Sequence, residues 1–215
     1  MNLDHPSARL IVQTCQKAGL LRNQAAYVLA TAWHETGGFK WMREIWGPTA
    51  AQRRYEGRAD LGNVVAGDGK KFMGRGFVQI TGRRNYTVWS RRLGLDLLKE
   101  PQLAERPEHA ARILVDGMRL GTFTGKKLSD FITLERSDFH NARRIVNGMD
   151  RAKTVGDYAR EFDVLLRADG YGVELMKPLD RNGVSTKPAP ARPAGGFWAA
   201  IVAILRTVFS GGQRR

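Results

Sequence analysis

A single cysteine, Cys15, excludes an intramolecular disulfide framework and a thiolate zinc cluster. The chain is 42% apolar over 215 residues, enough to bury a core without such staples. Histidine is scarce as well. "HETGG" at 34–38 opens like a zinc protease signature, but Gly38 stands where the second histidine would be, and His5, His109 and His140 show no ligand spacing. With no GxSxG and the lone cysteine in an apolar stripe, nucleophilic triads also lack support. Long apolar runs are missing too. The opening "MNLDHPSARLIVQTCQKAGL" carries Asp4 and no run of the length a secretory signal needs, so export by that route is not expected. Near the other end, Phe197 to Phe209 supplies 13 mostly apolar residues with Arg206 among them, against about 20 for a membrane-spanning helix.

What the chain has in excess is positive charge, +14 from 35 Lys/Arg against 21 Asp/Glu. Such a field attracts anionic partners of every kind, from nucleic acid to phospholipid, lipopolysaccharide or an anionic wall. A nucleic-acid-binding protein would account for the charge, but no recognised nucleic-acid module is present, and nucleic acid is not the expected partner. Composition changes near residue 181. "RNGVSTKPAPARPAGG" (181–196) is rich in proline and alanine and has no acidic residue, the pattern of an extended, semi-rigid linker. Residues 197–215 follow as a basic segment with an apolar centre. Written as a helix, it places Phe197, Ile201, Ile204, Leu205 and Val208 on one stripe. Contact with an anionic membrane or lipopolysaccharide and docking on the main domain are both open, and the proline linker favours membrane contact.

Before residue 181 the pattern is mainly helical. Pro6 opens a helix with Leu10, Ile11, Thr14, Cys15 and Ala18 at three-and-four spacing and Gly19 as its stop. A second helix runs from about Asn23 to Gly37, a third opens at Pro107, a fourth is capped by Ser137 or Asp138 and ends at Gly148, and a last one covers roughly Thr154 to Ala168. Between Gly57 and Gly82 the helical pattern breaks into a glycine-dense stretch in which only "FVQIT" alternates like a short strand. An irregular segment inside a helical scaffold is where a cleft is expected to be lined.

"LATAWHETGGFKWMREIWG" (29–47) places Glu35 at a predicted helix C-terminus. The negative end of that helix and a neighbouring Trp33 would both disfavour its ionised form, as a general acid requires. Acid catalysis on a glycoside needs a second carboxylate, and Glu44, Glu56 and Asp60 follow within reach. "HETGGF" followed by "GRGFVQITGRRNY" resembles glycoside hydrolase family 19, shared by plant chitinases and phage endolysins. "REIWGPTAAQRRYEGRADLGN" is similar to the endolysin branch, and "RRIVNG" (143–148) to a later asparagine-glycine motif of the family.

The resemblance implies a mainly α, lysozyme-like or chitinase-like helical domain over residues 1–180, with a small irregular or β-hairpin segment lining the cleft. It implies Glu35 as general acid. The base is Glu44 by the endolysin pattern, which is favoured, or Glu56 by plant chitinase spacing. Substrate contacts are implied at Trp46, Tyr55, Gln79, Thr81, Asn85, Tyr86 and Asn147. Core or capping roles remain open for Tyr86 and Thr81. The implied activity is inverting hydrolysis of peptidoglycan β-1,4 bonds without metal or organic cofactor. A small helical domain with one cleft is expected to be a monomer, and the opening segment leads to the expectation of synthesis in the host cytoplasm and release to the periplasmic wall by a partner such as a holin. A chitinase and a lytic transglycosylase are the alternatives.

Overall fold

A computed structural model describes residues 1–172; the linker and basic segment expected at 181–196 and 197–215, and the domain boundary near 181, lie outside the described residues. Five longer helices build the frame: α1 (Pro6–Lys17), α2 (Arg22–Glu35), α5 (Arg83–Leu93), α6 (Pro107–Leu120) and α8 (Ala152–Ala168). Three one-turn helices, α3 (Ala50–Arg53), α4 (Asp68–Lys71) and α7 (Leu128–Phe131), and three 3₁₀ turns connect them. Pro6 and Pro107 each occupy a first turn, where a missing N–H costs nothing. Gly94 and Gly121 end α5 and α6 in the left-handed conformation.

Helix α2 is the central post. Its residues from Gln24 to Ala32 are all buried, and alanines at 25, 26, 30 and 32 allow close approach on every side. A helix apolar all round is surrounded by protein. α8 lies along it, with Val155, Ala159, Phe162 and Leu166 buried, and α1 packs against both α2 and α6. Phe72, Phe77, Tyr86 and Trp89 belong to the same core and anchor the glycine-dense segment and α5 to it.

Two local expectations are corrected. The helix expected from Ser137 or Asp138 to Gly148 is a five-residue 3₁₀ turn, Asn141–Ile145. Asp138 does cap it, accepting the Asn141 N–H at 3.1 Å and the Asn141 amide at 2.9 Å, contacts that lower its pKa. "FVQIT" is a turn, not a strand. Arg75 and Ile80 exchange backbone hydrogen bonds at 3.2 and 3.0 Å, and the chain between them bends through Gly76 (φ 79°) and Gln79 (φ 52°). Only isolated bridges occur among the described residues: Arg75 pairs with Ile80 and also with Arg43, and Ile132 pairs with Ser137. The irregular alternative holds, and the bridge to residue 43 sets the geometry of the site.

Candidate active site

Glu35 is the last residue of α2. Just beyond it Thr36 is buried, its hydroxyl donating to the Ala32 carbonyl at 2.6 Å and accepting the Phe39 N–H at 2.8 Å, while Gly37 and Gly38 take positive φ and reverse the chain. One oxygen of Glu35 accepts Nη1 of Arg143 at 2.7 Å, and Arg143 is tethered in turn by donating Nε to the Asp150 carbonyl at 3.0 Å. The Arg143 side chain is only 3% exposed and that of Glu35 21%. A charge-assisted bond from so enclosed a guanidinium fixes the carboxylate's direction. Trp33 does not shield Glu35, contrary to the expectation. Residues two apart on a helix face different ways, and the Trp33 ring packs edge-on against Phe39 and Phe162.

Glu44 comes from the segment that runs beside the "GRG" loop. Its N–H donates to the Gly74 carbonyl at 2.9 Å, and Gly76 N–H donates to the Met42 carbonyl at 2.8 Å. Its carboxylate is gripped at both oxygens. Oε1 accepts the Gln52 amide at 2.9 Å and the Tyr55 hydroxyl at 3.4 Å, and Oε2 accepts the Gly74 N–H at 3.0 Å. Burial, and then the Glu44 charge, raise the pKa of Tyr55 and keep its proton in place to donate. A Cβ at Gly74 would sit 2.8 Å from the Gln79 Oε1 and 3.3 Å from the Glu44 Oε2, so any larger residue there would push both side chains from their places.

Both carboxylates line one open cavity of about 590 Å³. Tyr55, Gln79, Thr81, Asn85 and Asn147 are also on its wall, a ring of neutral hydroxyls and amides. Gln79 is oriented by donating to the Gly76 carbonyl at 2.8 Å, Thr81 donates to the Gln79 carbonyl at 3.0 Å, and Asn85 donates to the Thr81 carbonyl at 2.8 Å. Thr81 therefore does not cap α5, which starts after Gly82 without a side-chain cap. Asn147 accepts the Gly148 N–H at 2.8 Å.

Four of the named residues stand elsewhere. Tyr86 is wholly buried, its hydroxyl donating to the Met73 carbonyl at 2.8 Å and accepting from Arg75 at 2.9 Å, so it is a core residue with no face for a sugar; desolvation pushes its pKa up to about 12. Glu56 does not line the cavity. Its two oxygens accept the N–H groups of Gly67 at 2.6 Å and Gly69 at 2.9 Å and tie down a loop, which takes away its candidacy as base. Trp46 lies in an adjoining groove, its ring 6.3 Å from that of Tyr55. Asp60 is paired with Arg58 at the surface.

Two positioning residues were not foreseen. Gln52 holds Glu44 and also accepts the Thr49 N–H at 2.7 Å; its signal is the Thr49-x-x-Gln52 capping box. Arg143 opens the "RRIVNG" motif, but at 108 positions from Glu35 nothing in that stretch points to the carboxylate it holds. Among the described residues no group of three or more His, Cys, Asp or Glu is placed to hold a metal. Burial lowers the pKa of His34, which turns away toward Tyr158, and raises that of the Cys15 thiol in the core.

No family model matches the chain. A Haemophilus influenzae glycosyl hydrolase family 19 domain-containing protein is 31% identical over 40% of this chain and 56% of its own length. An Arabidopsis thaliana endochitinase is 38% identical over 38% of this chain and 30% of its own. The chain thus spans about half or less of the curated relatives it matches. The crystal structure of a bacterial family 19 chitinase superposes with a TM-score of 0.51 at 20% identity, covering 75% of this chain and 85% of the other. The fold is the mostly helical family 19 chitinase fold, and the two sequence relatives are named as a family 19 domain-containing protein and an endochitinase, in line with the resemblance of the motifs.

Proposed function

We propose that this protein is a glycoside hydrolase of the endolysin type that cleaves β-1,4 bonds of peptidoglycan strands by inverting acid–base catalysis. The observation that carries the reading is the pair Glu35 and Glu44 on one cavity whose remaining polar wall is neutral amides and hydroxyls. Such groups pair with sugar hydroxyls and N-acetyl groups. Glu35, at the end of α2, protonates the departing glycosidic oxygen. Glu44, its two oxygens oriented by Gln52, Tyr55 and the Gly74 N–H, draws a proton from a water on the opposite face of the sugar as that water attacks the anomeric carbon. The chemistry needs no cofactor. Net positive charge suits an anionic wall, and synthesis in the host cytoplasm with release to the wall through a partner's membrane lesion is part of the same proposal.

The test is digestion of purified peptidoglycan by the native chain and by Glu35→Gln, followed by borohydride reduction and mass analysis. Reducible muropeptides from the native protein and none from the variant support the reading. Anhydro ends would move the protein to the lytic transglycosylases. A folded protein that releases nothing from walls but degrades chitin oligomers would be a chitinase, the activity named for the plant and bacterial relatives.

A further inference from the structure

Glu44 lines two depressions. One is the cavity just described; the other is a groove of about 470 Å³ on its far side. The two have different chemistry. The groove is walled by Trp41, Met42, Ile45, Trp46 and Met73, and its remaining members, Arg43, Glu44 and Glu105, are charged. Among the described residues no neutral amide or hydroxyl side chain lines it, whereas the cavity has five. Trp41 and Ile45 are 54% and 67% exposed, so the groove presents large apolar surfaces to water. Arg43 is 60% exposed and only 4.0 Å from Glu105, whose carboxylate is already engaged by Arg75 at 2.7 Å. Its guanidinium is thus accessible to an incoming anion.

Resting on the peptidoglycan reading, we propose that this groove receives the peptide branch of the glycan strand, and that Arg43 pairs with a carboxylate of that branch. A bare N-acetylglucosamine polymer offers hydroxyls and acetamides, which suit the cavity. A muramyl strand adds a lactyl-linked peptide with small alkyl side chains and free carboxylates, which suit methionine, isoleucine and tryptophan walls beside one accessible cation. Because Glu44 belongs to both depressions, the groove adjoins the point of attack and is within reach of a branch on the sugar bound there.

The test compares initial hydrolysis rates of the full chain on intact peptidoglycan and on the same strands stripped of peptide by an amidase. The proteins are the native form, Arg43→Glu and Ile45→Ser, neither residue being part of the cavity. The expected result is that each variant is slower by about fivefold or more on intact strands and within about twofold of native on stripped ones. Equal loss on both substrates, or loss on neither, overturns the groove assignment while leaving the hydrolase reading in place. If the native protein cleaves neither substrate but degrades chitin, the peptidoglycan reading itself falls and takes the groove assignment with it.

Discussion

Replacing Arg143 by methionine keeps most of the side-chain volume and removes the charge that holds Glu35. In an enclosed pair, deleting one partner costs about 3–5 kcal/mol because the other is left buried without compensation. Here the guanidinium is 3% exposed but the carboxylate is 21% exposed, so water can reach the orphaned Glu35. The Asp150 carbonyl that loses its donor belongs to an exposed residue and is rehydrated. The expected loss is therefore at or below the low end, about 2–3 kcal/mol, which in a domain of this size lowers Tm by roughly 4–12 °C. Glu35→Gln, which keeps an oxygen that can accept from Arg143, should cost about 1–2 kcal/mol. The double variant should be less destabilised than the sum of the two. Circular-dichroism melts of the four proteins measure this cycle. Strict additivity, or a change under about 1 °C for Arg143→Met, would refute the assignment of Arg143 as the anchor of Glu35.

Gly74→Ala should leave the fold intact, since the Gln79 amide end can move, yet lower wall hydrolysis about tenfold or more by displacing Gln79 and Glu44; unchanged activity in a turbidity assay would contradict the close packing seen there. Gly82→Ala meets the Leu61 carbonyl at 2.7 Å with φ at +89°, and should destabilise by about 3 kcal/mol or more in denaturant melts. The Asp68 side chain is 2% exposed, and its pKa is depressed chiefly by its hydrogen bonds to Arg83. A lowered folded-state pKa contributes stability that is complete above the unfolded value of about 3.9 and is lost as pH falls through the folded one. Asp68→Asn should flatten the acid limb of the stability curve, and an unchanged limb would remove Asp68 from the account. Deleting 181–215, outside the described residues, should spare hydrolysis of isolated walls and weaken lysis of intact cells; equal losses on both would count against membrane contact by that segment.

The helices were legible in the chain because their signals are local. Pro6 and Pro107 at first turns, glycines at the stops, and apolar residues at three-and-four spacing each act within one or two turns, and α1, α2, α6 and α8 form close to where those signals fall. Glu35 at a helix end and the irregular character of the glycine-dense segment were legible for the same reason. The 3₁₀ turn at Asn141–Ile145 was misread because a cap marks where a helix begins and not how far it extends, and "FVQIT" because alternation ignores the positive φ that Gly76 and Gln79 adopt.

What the sequence by itself determined was the helical frame and a short roster of acids and amides. Only the tertiary structure decided among them. Glu44 reaches the cavity because its backbone N–H bonds to the carbonyl of Gly74, thirty positions on, whereas Glu56 is consumed by two loop N–H groups. Tyr86 turns inward because its hydroxyl finds Met73 and Arg75 in the core, and Arg143 reaches Glu35 across 108 residues. The physical reason is one of range. Caps, turns and periodicity are settled between near neighbours in the chain, but the partner a charged or polar side chain finds depends on which distant segments the packed core brings against it.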